Sequence, residues 1–204
     1  MDAVAIHACT AFAGTRRLAG GPVRDVARAV KTHLDAHPET QVLVFDNTSA
    51  QPVEFDVRGS IEDVLARLER TAPAASEPAD TETRPRGPGR PKLGVIAREV
   101  TLLPRHWDWL AAQPGGASVT LRKLVEDARR AAEGADRRRA AQEAAYRFMV
   151  AMAGNAAGFE EATRALFSAD AAAFASLTQS WPADVRDFAR ELAHAAFDAE
   201  QEAA

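Results

Sequence analysis

The chain has 204 residues, of which 47% are hydrophobic and 26% are charged. This composition is typical of a globular protein and excludes an intrinsically disordered one. No stretch approaches the roughly 20 consecutive apolar residues of a membrane-spanning helix, and no basic region precedes the apolar start, so we expect neither a membrane span nor a signal peptide. The single cysteine, Cys9, excludes an internal disulfide. One thiol fits a reducing compartment, so we expect a cytoplasmic protein.

The net charge of −4 conceals an uneven distribution along the chain. Residues 84–139 carry 13 basic and 6 acidic side chains, whereas residues 140–204 carry 4 basic and 10 acidic ones. A polyanion would be attracted to the middle block alone. The overall charge therefore does not exclude a nucleic-acid partner.

Residues 1–71 are predicted to form a small α/β unit. Residues 3–13 are apolar and extended, and a turn at Gly14 leads into a short second strand that Gly20 and Gly21 are expected to end. Pro22 suits the start of a helix that follows.

A hairpin and a second helix are predicted in the rest of this unit. Residues 41–45 and 53–57 are strand-like and flank the turn-rich residues 46–49. Ser60 is followed three residues later by Asp63, which is close to a capping box at the start of a helix.

Residues 72–93 are predicted to be a flexible linker that changes from acidic to basic at Arg84. Up to Lys92 the linker contains no large apolar side chain that could order it. Residues 89–92, Gly-Arg-Pro-Lys, resemble the core of an AT-hook, in which an extended Arg-Pro backbone lies in a narrow A·T minor groove. Pro88 stands where the first arginine of that motif would be, and Arg86 is the nearest substitute. A solvated linker is the alternative interpretation.

Residues 94–135 show the order strand, proline, helix, glycine turn, helix. Residues 98–103 are β-like, and Pro104 starts a helix with tryptophans on or beside its apolar face. Gly115 and Gly116 end that helix, and Ser118 is predicted to cap a second one. The apolar face of the second helix is expected to be buried and consists of Leu121, Leu124, Val125 and Ala128.

This order resembles a ribbon-helix-helix module. The resemblance implies that two chains pair their strands, that the ribbon enters the major groove, and that the second helix directs its N-terminus at phosphate. Neither set of alternate side chains in residues 98–103 supplies three good base readers. Two alternatives therefore remain. Either the strands pair two chains without reading the DNA sequence, or the strand and helices are a simple core element.

Residues 136–204 are predicted to be an acidic helical bundle. Helices are expected over residues 141–153, 159–167 and 171–177, and a final amphipathic helix is expected after Pro182. The predicted fold class of the whole chain is α+β.

Other candidate sites are weaker. His33 and His37 are four residues apart and share a helix face, but no third metal ligand accompanies them. Cys9 has no identifiable base and is expected to be a small buried residue. The three consecutive arginines at residues 137–139 are either a solvated helix end or a set of phosphate contacts. We recognise no catalytic constellation, so we expect a non-enzymatic protein without metal or cofactor.

Taken whole, the chain resembles an uncharacterised bacterial family, domain of unknown function 2239. The resemblance is carried by TAFAGTRRLAGGP, VLVFDNTSAQPVEFDVRG, the stretch from GRPKLGVIAREV to LVEDARR, AYRFMVAMAG, FEEATRALFSAD and WPADVR. It implies no activity, but it implies that the segments belong to one architecture.

Two functions are compatible with these features. In the first, the chain is a DNA-binding regulator or nucleoid-type protein that acts as a homodimer. Its DNA contacts would come from Arg86, Arg90, Lys92, Arg98, Arg122 and Lys123. In the second, the chain is an adaptor: the central helix pair serves dimerisation, and the acidic bundle docks a basic protein partner.

Overall fold

The computed structural model describes residues 8–71, 96 and 98–198. These residues belong to two compact units. The main unit comprises residues 8–71 together with 134–198, and the central unit comprises residues 96 and 98–133. A three-stranded sheet and seven helices among the described residues give the α+β fold that was predicted. No helix in these ranges combines the length and the apolar character needed to cross a membrane.

The sheet of the main unit has the strand order β2–β1–β3. Strand β1 (Ala8–Ala13) lies in the centre and pairs antiparallel with β2 (Arg16–Pro22) and with β3 (Val42–Asp46). The turn between β1 and β2 contains Gly14 at φ 58°, a conformation that glycine adopts without steric cost. The two outer strands thus hold β1 as the most buried strand of the sheet.

The prediction that Gly20 and Gly21 end the second strand is wrong, because β2 continues to Pro22. A Cβ atom on Gly20 would lie 2.8 Å from Nη2 of Arg17. The missing side chain therefore makes room for the Arg17 guanidinium across the strand, and it does not break the strand.

The hairpin predicted between residues 41–45 and 53–57 is also not formed as expected. Strand β3 pairs with β1, and the returning chain joins β3 through one bridge between Phe45 and Pro52. The two hydrogen bonds of this bridge run from Val53 N to Val44 O at 2.8 Å and from Asp46 N to Gln51 O at 2.9 Å. Residues 54–57 form no further strand pairing, so the second strand of the predicted hairpin is absent. The Asp46 carboxylate still forms the expected turn by accepting hydrogen bonds from the N–H groups of Thr48 and Ser49.

Two amphipathic helices complete the N-terminal part of the main unit. Helix α1 (Val23–Ala36) begins after Pro22 as predicted and buries Val26, Ala27 and Val30. Helix α2 (Ile61–Thr71) has the predicted capping box: Ser60 N donates to Asp63 Oδ2 at 2.9 Å, and Asp63 N donates to Ser60 Oγ at 3.2 Å. The short Ser60 and Asp63 side chains thus satisfy N–H groups that a helix start leaves free.

Strand β1 is buried on both faces, so the main unit has two apolar clusters. On one face, Cys9 and Ala11 pack against α1 and Val44. On the other face, Phe12 and Phe45 join the helices of the C-terminal part of the chain. The alternation of side chains along one strand thus divides its residues between the two clusters.

Four aromatic rings connect the sheet to the helices. The Phe148 ring centroid lies 5.3 Å from that of Phe12, 5.1 Å from that of Phe45 and 4.8 Å from that of Phe188. From sequence, residues 1–71 and 136–204 are separate segments; in the structure they share this core. The reason is that β1 and β3 present aromatic side chains on the face that α1 does not cover.

Helix α4 is a single helix, Gly116–Ala153, and the boundary between the two units falls within it. Two separate helices were expected over this range. Residues 129–140 connect them without a break because they are rich in alanine and arginine and contain no proline. Gly134 weakens the helix by only about 1 kcal/mol relative to alanine.

The remaining helices confirm the predictions for the C-terminal part of the chain. They are α5 (Phe159–Phe167), α6 (Ala171–Leu177) and α7 (Ala183–Phe197). Trp181, between α6 and α7, is buried and donates its Nε1–H to Ala157 O at 3.0 Å. This hydrogen bond satisfies the polar atom of a side chain that otherwise packs in the core.

We expect Phe148→Ala to lower the free energy of unfolding by about 3–5 kcal/mol, because the substitution removes a buried ring from the centre of the aromatic cluster. Val150→Ala on the same helix is the matched control: Val150 is 49% exposed, so its truncation should change stability by about 0.5 kcal/mol or less. Urea unfolding checks both values. Similar losses of stability in the two variants would contradict a core shared by sheet and helices.

Candidate nucleic-acid interface

The central unit begins with an extended segment over residues 98–103. Leu103 has φ −66° and ψ 149°, and the side chains of Arg98, Val100 and Leu103 are exposed. The predicted strand is not formed in this chain, since the backbone of this segment pairs with no other described residue. The Leu103 carbonyl accepts hydrogen bonds from His106 N and Trp107 N. The rest of this backbone forms no strand pairing with the described residues and is open to another extended chain.

Helix α3 (Pro104–Ala111) follows directly and buries little. Leu110 is the single buried side chain among the described residues of the central unit. The tryptophans that lie on or beside the apolar face of this helix are largely exposed: Trp107 is 41% exposed and Trp109 is 51% exposed. The described part of the central unit therefore does not enclose a core of its own.

The turn between α3 and α4 contains the predicted glycine pair. Gly115 and Gly116 have φ values of 87° and 72°, which favour glycine at both positions. The prediction that Ser118 caps the second helix is wrong, because α4 already begins at Gly116. A Cβ on Gly115 would lie 3.1 Å from Val119 Cβ, so the glycine permits the close approach of the first helical turn.

The first half of α4 carries an apolar stripe that the described residues leave largely uncovered. Leu124 is 46% exposed and Val125 is 65% exposed, although both were predicted to be buried. Spacings of three and four residues place the members of the stripe on one face of the helix. We define the α4 stripe as Leu121, Leu124, Val125, Ala128, Ala131 and Ala132.

The stripe is part of a wider concentration of exposed apolar side chains. Among the described residues, eight of the eleven exposed large hydrophobic side chains lie between residues 96 and 125. A patch of this kind marks an interaction surface more often than scattered single residues do. The periodicity of the sequence predicted that the apolar side chains of residues 121–128 share one face of the helix. The same spacing continues through Ala131 and Ala132, and this continuation is the signal in the sequence that the stripe extends beyond Ala128.

The candidate DNA-contacting cations are distributed over three places. Arg122 and Lys123 are neighbours in α4 and both are exposed. Neither belongs to the α4 stripe, since Lys123 lies on the opposite side of the helix and Arg122 lies beside the stripe. Arg98 is exposed in the extended segment that precedes α3. Three further candidates lie outside the described residues, namely Arg86, Arg90 and Lys92.

Arg122 and Lys123 differ from Arg129, Arg130 and Arg139, further along α4, in having no carboxylate partner within the described part of the chain. Arg129 donates to Glu126 at 2.9 Å, and the hydrogen bond from Arg129 lowers the pKa of the Glu126 carboxyl. Arg130 lies 3.4 Å from Glu126. Glu126, the carboxylate one helical turn after Arg122, is thus occupied by Arg129 and Arg130.

The arginine triplet at residues 137–139 lies inside α4, so the expectation that it ends a helix is wrong. Arg139 donates to Asp136 at 2.7 Å. Arg138 is partly buried, and its Nε has no hydrogen-bond partner among the described residues. Arg137 is exposed and resembles Arg122 in having no ion pair in the described ranges.

Cys9 is buried in β1, as expected for a small core residue. Burial, together with the nearby charge of Asp46, raises the pKa of the Cys9 thiol from 9.0 to about 11. Since the thiolate is the nucleophilic form, a raised pKa makes this cysteine a poor nucleophile near neutral pH.

The two histidines on α1 also lie together as their spacing suggests. The ring centroids of His33 and His37 are 4.9 Å apart. The described residues contain no group of three or more histidine, cysteine or carboxylate side chains arranged to hold a metal ion. The histidine pair lines a pocket, and this pocket was not foreseen from the sequence.

Comparison with known proteins identifies a family but no characterised relative. A sequence model of the family described as "Uncharacterized protein conserved in bacteria (DUF2239)" matches residues 8–193, most of the chain. Neither the curated proteins nor the solved structures contain a significant match.

We expect the stability of the protein to fall between pH 9 and about 11 because of Cys9. In this window the thiol of the unfolded chain has lost its proton and the buried thiol retains it, so deprotonation favours unfolding. Urea unfolding at a pH below 9 and at a pH within the window measures the decline. The decline should be smaller in Cys9→Ala, and an equal decline in both proteins would contradict the assignment to Cys9.

Proposed function

The chain belongs to the DUF2239 family, and we propose that it is a DNA-binding protein that acts as a homodimer through its central residues. The observation that carries this proposal is the division of the first half of α4 into two faces. One face presents the uncovered α4 stripe, and the surface beside and opposite to it presents Arg122 and Lys123 without carboxylate partners among the described residues. A second copy of the chain covers the first face, and the phosphate backbone meets the second.

Charge supports DNA as the partner. Residues 84–139 hold 13 basic and 6 acidic side chains, and the acidic residues Glu126, Asp127 and Asp136 are within ion-pair distance of arginines. Each phosphate contact made by a free cation releases counterions from DNA, which gives affinity without sequence preference. Arg98, Arg122 and Lys123 are the described cations that we assign to phosphate contacts.

The basic linker supplies the proposed minor-groove contact. Arg90 and Lys92 follow the Gly-Arg-Pro-Lys pattern, with Arg86 in place of the missing first arginine of an AT-hook. A narrow A·T groove concentrates negative potential and attracts arginine. We therefore propose a preference for A·T-rich DNA with little further sequence reading, since residues 98–103 lack a good set of base readers.

The α4 stripe supports a second copy as its partner. Its members repeat at heptad-like spacing over residues 121–132, the pattern by which helices of two chains pack together. The two edges of the stripe differ in charge: Asp127 lies along one, and Arg122 and Arg129 lie along the other. Parallel packing of two α4 helices places these opposite edges next to each other, so a second copy covers the apolar stripe and brings Asp127 of one copy close to Arg129 of the other.

We expect full-length protein to bind A·T-rich duplex DNA with an affinity that falls steeply with salt. The double variant Arg122→Ala, Lys123→Ala should bind more weakly and should reduce the slope of log affinity against log salt by about one unit for each phosphate that it no longer neutralises. Fluorescence anisotropy on A·T-rich and G·C-rich duplexes across a salt series measures both quantities.

The matched control is Arg24→Ala, Arg28→Ala, which removes the same charge from two exposed positions on α1 in the main unit. This control should bind DNA with the same dependence of log affinity on log salt as the unmodified protein. Equal weakening by the two double variants would show a general charge effect and would reject the assignment to α4. Absence of binding at low salt would reject the DNA proposal altogether.

We expect the protein to sediment as a dimer and Leu124→Glu to shift it to a monomer, since the substitution places a charge in the α4 stripe. Val150→Glu is the matched control, because Val150 is a comparably exposed apolar residue on the same helix within the main unit. Analytical ultracentrifugation at several concentrations distinguishes the variants. A monomeric unmodified protein, or dissociation by both variants, would contradict pairing through the stripe.

An adaptor is the second candidate function. It is favoured by a separate exposed apolar group in the main unit, where Tyr146 and Phe167 lie with ring centroids 5.7 Å apart and are 40% and 50% exposed. In this alternative the α4 stripe still serves dimerisation, while the acidic C-terminal helices bind a basic protein. A dimer that fails to bind DNA at low salt is the outcome that selects it.

A further inference from the structure

A pocket of about 300 Å³ lies in the main unit beside the turn between β1 and β2. It is lined by residues from this hairpin and from the C-terminal end of α1 with the loop that follows. The lining residues are Ala13, Arg16, Arg17, Leu18, His33, His37 and Thr40. None of them is acidic, and four of them are arginine or histidine.

The two arginines of the pocket have different roles. Arg17 is held in place: its guanidinium donates to Glu191 Oε2 at 3.2 Å and to Thr10 Oγ1 at 3.3 Å, and it lies 5.3 Å from the centre of the Phe188 ring. Arg16 is exposed and has no ion pair or hydrogen bond to its side chain among the described residues. Arg16 is therefore the guanidinium that remains available to a ligand.

The histidine pair adds an unsatisfied polar atom. His33 Nε2 is closed to solvent and has no hydrogen-bond partner in the described part of the chain. Buried polar atoms are normally hydrogen-bonded, so such an atom beside a pocket requires an explanation. His33 lines the pocket beside the ring of His37, an exposed residue at the end of α1 whose ring centroid lies 4.9 Å from that of His33.

A cation does not fit this set of side chains. The described residues supply no third metal ligand near the histidines, and the Arg16 guanidinium would repel a metal ion. An oxyanion fits all of the polar groups, because guanidinium, imidazole N–H and hydroxyl groups all donate hydrogen bonds. The guanidinium in particular matches two oxygens of a phosphate group at once.

We infer that this pocket binds a small phosphate monoester. In the proposed complex Arg16 pairs with two phosphate oxygens, and the Thr40 hydroxyl donates one hydrogen bond. The exposed His37 ring moves aside, so that His33 Nε2 donates another, and Ala13 and Leu18 contact the carbon portion of the ester. The pocket is part of the main unit and uses none of the residues assigned to DNA. The inference is therefore independent of the proposed function.

The test is a calorimetric titration of full-length protein with phenyl phosphate, inorganic phosphate and benzyl alcohol at constant ionic strength. Phenyl phosphate should bind most tightly and benzyl alcohol should not bind, because the charge and the apolar wall both contribute. Arg16→Ala should weaken phenyl phosphate binding about tenfold or more, since the variant cannot form the bidentate pair with the phosphate oxygens. His33→Gln should weaken it by a smaller factor.

Arg28→Ala is the control, since it removes one exposed positive charge from α1 outside the pocket. It should leave the affinity unchanged, and the circular dichroism and melting temperature of each variant establish that it is folded. Absence of phenyl phosphate binding by the unmodified protein would overturn the inference. Equal weakening by Arg16→Ala and Arg28→Ala would overturn it as well, because it would show nonspecific attraction of the anion.

Discussion

The packing of Phe12 and Phe45 against Phe148 and Phe188 is the interaction on which the main unit depends. It joins a sheet formed near the start of the chain to helices formed near its end. A three-stranded sheet covered by α1 alone would leave one face of β1 and β3 in water. Because that face carries aromatic side chains, burying it offers a large gain in free energy, and the C-terminal helices supply the cover.

Helix α4 illustrates how one regular element serves two different environments. Its second half buries Ala145, Phe148 and Met149 in the core of the main unit, whereas its first half leaves Leu124 and Val125 exposed. Both halves have helical spacing of apolar residues, and the difference between them lies in what is available to cover the stripe. The proposed dimer and DNA surfaces lie in the half of α4 that is left uncovered. The pocket beside α1, by contrast, belongs to the main unit, which has a core of its own.

The features that could be predicted from the sequence are those that depend on neighbouring residues. The Ser60–Asp63 capping box, the helices α5 to α7 and the glycine turn after α3 are fixed by interactions within a few positions. The pairing of β3 with β1, by contrast, depends on residues some 30 positions apart. Trp107 and Trp109 are exposed because no other described part of the chain packs over them, which their neighbouring residues do not determine. Of the candidate site, the location of Arg122 and Lys123 on a helix face was predictable, but the lack of carboxylate partners among the described residues required the structure.

The division of the main unit between two stretches of chain has a consequence for its biosynthesis. A ribosome releases β1 and β3 long before α4 and α7, so Phe12 and Phe45 have no helical partner while residues 72–133 are being made. The nascent N-terminal segment therefore carries an unburied aromatic face that a chaperone could bind. Lengthening the intervening segment adds little to the entropic cost of closing the unit, because that cost grows only with the logarithm of loop length. The central unit can thus vary in length during evolution while the fold of the main unit, which is formed by the stretches of chain before and after it, is maintained.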